Sequence, residues 1–155
     1  WARVVSPVDV MAFSERSRAY RHLWDPSQGF LVGRRRDGSF VPLTGRTIWQ
    51  DVYAEGNAWQ YLWYAPHDLG GLAETVGGRA TFLARLEELF MNSMKQQRGL
   101  APDRYYWHGN EPDIHAPFIP SYFGDAAALG ATVPAPRFGV AVPQPTAVRL
   151  AAASA

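Results

Sequence analysis

Hydrophobic and polar positions along the chain follow a mostly helical period. Pro7 and Asp9 form a helix start, and Val10, Phe13, Ser17 and Tyr20 recur at helical spacing. Asp25-Pro26-Ser27-Gln28-Gly29 is a run of turn residues. Phe30-Leu31-Val32, then Asp37-Gly38, then Ser39-Phe40-Val41 predict a small β-hairpin closed by a DG turn. Asn57 to Tyr64 is dense in aromatic residues and stops before Pro66. Asp68 predicts the cap of a short helix over Leu69 to Thr75, which Gly77-Gly78 close. The clearest stripe lies in Arg79 to Gln97. There Phe82, Leu83, Leu86, Leu89, Phe90 and Met94 share one side, with Arg85, Glu88 and Lys95 off it. Gly99 and Pro102 end that helix. Asp113 predicts the cap of a last segment, with Ile114, Phe118, Ile119 and Tyr122 on one side. The expected fold class is therefore mainly α, with a small β-hairpin and long aromatic loops of the kind that carry sites.

Composition divides the chain in two. Residues 1–123 hold all six Trp, all seven Tyr and nearly all the charge. Residues 124–155 form an Ala/Pro-rich tail whose only charges are Asp125, Arg137 and Arg149. The tail has no helical or strand period, and it reads like an out-of-frame or disordered stretch of a GC-rich gene. The N-terminal Trp1, with neither Met nor signal peptide, suggests that the true start lies upstream. Net charge +1 disfavours a nucleic-acid binder or a membrane-surface protein. With no Cys, disulfides, thiolate chemistry and Cys-bound metals are excluded. No apolar run is long enough to span a bilayer.

Three clusters can carry chemistry. The first is Glu55-Gly56-Asn57-Ala58-Trp59-Gln60-Tyr61, continuing to Trp63 and Tyr64. A carboxylate, two amides and aromatic faces suit a sugar, which is apolar on its ring faces and polar at its rim. The same aromatics also suit a buried helix, and Glu55 suits a helix N-terminus. The second is Pro66-His67-Asp68, a proton-handling pair or simply a helix cap. The third is Trp107-His108-Gly109-Asn110-Glu111-Pro112-Asp113, followed by His115. Its oxygen donors suit Ca²⁺. His108, His115 and Glu111 suit zinc. A plain loop whose Asp113 caps the next helix satisfies the spacing equally. Arg34-Arg35-Arg36 reads as a solvated basic face.

Several of these strings occur together in one family. Glu55-Gly-Asn-Ala-Trp-Gln-Tyr61, Pro66-His67-Asp68 and His108-Gly-Asn-Glu-Pro112 stand in an order and at spacings that resemble glycoside hydrolase family 92, the calcium-dependent, exo-acting alpha-mannosidases. Tyr20-Arg21-His22-Leu23-Trp24-Asp25-Pro26, Gly29-Phe30 and Arg34 to Gly38 resemble the family's approach to the first motif. Gly77-Gly78 before a Phe/Leu-rich helix fits as well. The resemblance covers residues 1–123, and several motifs in fixed order are far more specific than any one alone.

The resemblance implies a fragment of an (α/α)6 toroid, which in the family follows a β-sandwich domain absent here. It implies removal of terminal alpha-linked mannose from oligosaccharides or N-glycans with inversion. Inversion needs a general acid on the glycosidic oxygen and a base activating water across the ring. Carried over, Glu55 is the acid, desolvated by Trp59 and Tyr61. Asn57, Trp59, Gln60, Tyr61, His67, Asp68 and His108 line the sugar. Asn110 and Glu111 hold Ca²⁺, which contacts the sugar's O2 and O3. The general base belongs to an Asp-rich motif that no residue of this sequence matches, so the chain is expected to be inactive. A non-catalytic carbohydrate-binding or scaffold fragment is the alternative. The family's full-length proteins are expected to be secreted or periplasmic. A slice of a toroid is also expected to expose Phe82, Leu86, Leu89 and Phe118.

Overall fold

The structure is a computed structural model that describes residues 9–95 and 104–124. It is mainly helical with one two-stranded sheet. Helix α1 is Val10–Arg16, and a 3₁₀ turn follows at Ala19–Leu23. Strands β1 (Trp24–Asp25) and β2 (Phe30–Leu31) pair antiparallel, with Trp24 opposite Leu31 and Asp25 opposite Phe30. Helix α2 is Ala58–Tyr61. A 3₁₀ turn at Pro66–Asp68 leads into α3, Leu69–Val76, and then α4, Arg79–Lys95. The 3₁₀ turn Ala116–Phe118 and the short α5, Ile119–Tyr122, complete the described elements. The expected end of α4 near Gln97 and the body of the 124–155 tail lie outside the described residues.

The hairpin is displaced from its expected position. The pairing strands enclose the Asp25–Gly29 turn, where Asp25 accepts from the Ser27 hydroxyl at 2.6 Å and from Gln28 Nε2 at 2.7 Å. These side-chain bonds hold the Asp25 carboxyl below the ordinary carboxylate range. The DG turn does form, with Gly38 at φ +87°, but its arms meet only at an isolated bridge between Arg34 and Phe40. The polar turn with its own side-chain bonds wins the ladder; the arginine-rich arm does not sustain one.

The α3–α4 corner follows its expected chemistry. Asp68 accepts from the Gly71 N–H at 3.1 Å and caps α3. Gly77 takes φ +113°, and the Gly78 N–H donates to the Ala73 carbonyl at 2.8 Å, a six-residue closure that left-handed glycine permits. On α4, Phe82, Leu86, Leu89 and Phe90 are buried. They pack with Leu62, Trp63, Leu72 and Val76 into one core. The expectation that Phe82, Leu86 and Leu89 lie exposed is thus overturned, because α3 and the 62–63 segment cover them. Phe118 is exposed (62%), and Met94 leaves the stripe at 46% exposed. In the last segment Ile119 and Ala116 join the core and Phe123 packs against it, while Ile114 and Tyr122 face outward. Helix α1 buries none of its residues.

Arg85 also departs from its expected place on the solvent side. Its guanidinium lies 4.5 Å from the centre of the Phe30 ring, 5.4 Å from Trp59 and 6.0 Å from Trp24, and it donates to the Gly29 carbonyl. The aliphatic stem and a cation–aromatic environment let an arginine sit on the edge of a core. Burial lowers its pKa, Glu88 raises it and Arg46 lowers it. This packing fixes α2 against β2 from below.

The 17–23 segment is fastened to the α2–α3 corner. Tyr20 donates to Asp68 Oδ2 at 2.9 Å, and Arg21 forms a 3.1 Å ion pair with the same oxygen. Burial of the Asp68 carboxyl pulls its pKa up, but the bonds from Tyr20, Arg21 and Gly71 outweigh it and hold it below the ordinary value. His115 is partly buried with Nε2 2.8 Å from the Trp63 carbonyl; burial holds its pKa below the ordinary value despite that bond. Both shifts make the folded chain bind protons less readily than the unfolded one. Stability should therefore fall with acid in two stages. The first comes as pH drops below about 6.5, the ordinary imidazole value. The second comes below about pH 4, from Asp68 and Asp25. Urea midpoints across pH check this, and a His115→Gln chain should lack the first stage.

Candidate functional site

The first and third motif clusters, some fifty residues apart, meet at one amide. Asn110 is buried, and its Nδ2 donates to the main-chain carbonyl of Glu55 at 3.0 Å and to Gln60 Oε1 at 3.3 Å. On the other side of Glu55, the main-chain N–H donates to the Tyr61 hydroxyl at 3.1 Å. Both peptide groups of Glu55 are thus fixed, one by α2 and one by the 107–113 loop. The Glu55 side chain itself is exposed. Trp59 packs into the core, against Phe30 at 5.3 Å and Tyr105 at 5.5 Å between ring centres.

Gly56 makes this approach possible. Its φ is +153°, and a Cβ there would come within 2.7 Å of Gln60 Oε1, 3.2 Å of Asn110 Nδ2 and 3.3 Å of Tyr61 Cε2. Asn57 follows in extended backbone and caps α2, accepting from the N–H groups of Trp59 (3.0 Å) and Gln60 (3.3 Å). Its Nδ2 donates to the Arg104 carbonyl at 3.0 Å. Gln60 is fully buried. Tyr61 is half-buried, its ring 5.0 Å from Tyr53 and 6.1 Å from the exposed Tyr64.

The 107–113 loop is built from its own acid. Asp113 is fully buried, and its Oδ2 accepts from the Trp107 N–H at 3.0 Å. It does not cap the next turn through its side chain, as expected; His115 holds the cap position there, without a side-chain cap bond. The Asn110 N–H donates to the Trp107 carbonyl at 2.9 Å, and the N–H groups of Asp113 and Ile114 bond the Asn110 carbonyl. A Cβ on Gly109 would press the Trp107 indole at 3.0 Å. Glu111 and His108 are exposed on this loop.

His67 and Asp68, also expected at the site, have partners of their own. His67 is exposed, with Nε2 2.7 Å from the Ser17 carbonyl, and Asp68 holds α3 and the Tyr20–Arg21 pair. This second cluster does the work of a cap and a fastening. The zinc alternative finds no support in the geometry. His115 faces the Trp63 carbonyl, and His108 Nδ1 is bonded to the Tyr106 hydroxyl. Among the described residues no three His, Asp or Glu form a metal-holding group.

Sequence reasoning missed Tyr106, Ser93 and Arg85. Tyr106 is buried against Phe90 with ring centres 5.1 Å apart, and its N–H donates to Ser93 Oγ on α4 at 2.7 Å. No sequence signal pointed to Tyr106, because residues 107–110 form a turn and follow no strand or helix period. No helix among the described residues is long and apolar enough to cross a membrane.

Comparisons with known proteins agree on a family. Residues 2–133 match the glycosyl hydrolase family 92 catalytic domain. A protein of Arthroderma benhamiae described as an uncharacterized secreted glycosidase is 32% identical over 110 residues, which are 71% of this chain and 12% of that protein. The structure of a family GH92 alpha-mannosidase from Bacteroides thetaiotaomicron superposes with a TM-score of 0.69 at 29% identity, covering 84% of this chain and 17% of its own. The structure of that mannosidase in complex with mannoimidazole gives 0.68 at 28% identity, covering 84% and 19%. The chain thus spans only a small part of each relative's length. It belongs to glycosyl hydrolase family 92, within the catalytic domain.

Proposed function

We propose that this chain carries the acid and cation part of an exo-acting alpha-mannosidase site on a partial (α/α)6 toroid. Glu55 is the general acid. It protonates the glycosidic oxygen while water attacks from the opposite face, with inversion at the anomeric carbon. Tyr61 and Asn110 hold its two peptide groups, and the Gly56 cleft lets α2 and the loop close on each other. His108 contacts the sugar from the loop. The observation that carries the reading is the Asn110 amide, which joins the acid's peptide to the cation loop. A relative's complex with mannoimidazole supports terminal mannose as the bound sugar. The secreted relative supports export of the longer family protein.

Calcium fits the donors that are present. Asn110 uses Nδ2 for Glu55 and Gln60, and its Oδ1 accepts no hydrogen bond among the described residues. Glu111 adds an exposed carboxylate. These are hard oxygen ligands of the kind calcium prefers. They are part of a shell of roughly six to eight, which leaves places for main-chain carbonyls, water and sugar hydroxyls. When bound, the ion supplies a template and positive charge for the sugar's hydroxyls.

No residue of this sequence takes the general-base role by motif, so the 155-residue chain is proposed to bind without turnover. Incubation with an aryl alpha-mannoside and Ca²⁺ tests this. No release of the aryl alcohol is expected. Turnover that Glu55→Gln abolishes would overturn the inactivity and assign a base within the chain.

A further inference from the structure

We infer that Tyr106 is the positioning residue for His108: its hydroxyl donates to His108 Nδ1 and commits the neutral imidazole to the Nε2–H tautomer. The exposed face of His108 then presents a hydrogen-bond donor, suited to an oxygen lone pair of a neutral sugar.

Proton accounting carries the argument. Among the described residues, the only hydrogen-bond partner of the Tyr106 hydroxyl is His108 Nδ1. Tyr106 is buried. Burial, with the charge of Asp113 adding to it, pushes its pKa up, so the hydroxyl stays protonated throughout the working range. A buried hydroxyl proton needs an acceptor, and a neutral imidazole has one nitrogen that accepts and one that donates. If Nδ1 carried the proton it would donate to the hydroxyl oxygen, and the hydroxyl proton would then have no acceptor among the described residues. Tyr106 is itself held in register: its N–H donates to Ser93 Oγ at 2.7 Å, the Ser93 hydroxyl lies 3.4 Å from its carbonyl, and its ring packs on Phe90. A core helix therefore sets the tyrosine, the tyrosine sets the tautomer, and the tautomer sets what the loop offers a ligand. Such partners behind a functional imidazole fix both ring orientation and proton position.

The sugar as ligand rests on the mannosidase reading; the tautomer does not. The test uses the 155-residue chain with ¹⁵N-labelled histidine at about pH 8. Long-range proton–nitrogen spectra distinguish the two tautomers, and His108→Gln identifies the His108 signals. The expected result is a single Nε2–H tautomer for His108 in the natural chain. In Tyr106→Phe, which keeps the ring against Phe90, the two nitrogen shifts should move towards the average of both tautomers. His67 and His115 face carbonyls through Nε2 and serve as internal controls for the fold. An Nδ1–H tautomer in the natural chain would overturn the inference, as would identical His108 shifts in Tyr106→Phe. Should Tyr106→Phe disturb the His67 and His115 signals, the tautomer of His108 in the natural chain decides by itself, Nε2–H supporting the inference and Nδ1–H overturning it. In parallel, Tyr106→Phe should weaken mannoimidazole binding by about three- to tenfold, the weight of one hydrogen bond. Calcium affinity should be unchanged. A natural chain that binds no mannoimidazole would contradict the mannosidase reading and leave the tautomer result standing.

Discussion

A Trp63→Ala chain should lose about 3–5 kcal/mol of folding stability. Trp63 is fully buried, 5.2 Å from Phe82 between ring centres, at the point where the loop after α2 meets α4. Its Nε1–H has no hydrogen-bond partner among the described residues, so the change removes packing and leaves a cavity without breaking a polar contact with them. The His115 bond uses the main-chain carbonyl of residue 63 and survives the substitution. For a domain of this size such a loss lowers the melting temperature by roughly 10 °C or more, and it takes a large share of a typical stability of about 5–15 kcal/mol. Trp63→Phe is the contrasting case. It keeps an aromatic ring beside Phe82 and deletes a buried donor whose desolvation is uncompensated, so it should cost less than half as much. Thermal unfolding followed by circular dichroism compares the two. Equal losses would mean that the indole nitrogen has a partner after all.

Gly56→Ala should have the largest effect on the site. Its Cβ would overlap Gln60 Oε1 and crowd both Asn110 and Tyr61 in a backbone region unfavourable to side chains. Strain of about 1–3 kcal/mol adds to the loss of the Asn110 bonds, each worth about 1 kcal/mol. Gly78→Ala separates the two contributions. Gly78 also has a left-handed φ, +96°, but nothing lies within 4 Å of its added Cβ. Gly78→Ala should therefore cost stability alone. Gly56→Ala should cost stability and, in addition, reduce calcium-dependent mannoimidazole binding by more than tenfold, measured by calorimetry below the melting temperature of both variants. If the two glycine variants bind equally well, the junction of Glu55 and Asn110 is not what builds the site.

What could be read in advance follows from range. The Asp68 cap, the Gly77-Gly78 closure and the α4 stripe are local: a few neighbouring residues contain the whole physical cause. The ordered motifs were enough to identify the family, because several strings in fixed order constrain each other. Side-chain destinations were less legible. Arg85 reads as solvated by charge, yet three aromatic rings from distant segments receive it. Asp113 reads as a cap, yet it turns back to the Trp107 amide. The hairpin moved because bonds from Ser27 and Gln28 to Asp25 cannot be weighed against a DG turn by pattern alone. The exposed faces of Phe118 and Tyr122 were assigned to one side of a segment too short to have a period. Glu55 and Asn110 were each singled out, but their junction depends on a tertiary contact that no spacing encodes.

The central claim is that Glu55 and the Asn110–Glu111 loop form one calcium-supported mannose site. Calorimetric titration of mannoimidazole into the 155-residue chain, with calcium and then with a chelator, tests it most directly. Binding in calcium should vanish with the chelator and weaken at least tenfold in Glu111→Gln. Binding indifferent to the chelator, or none under either condition, would contradict the claim.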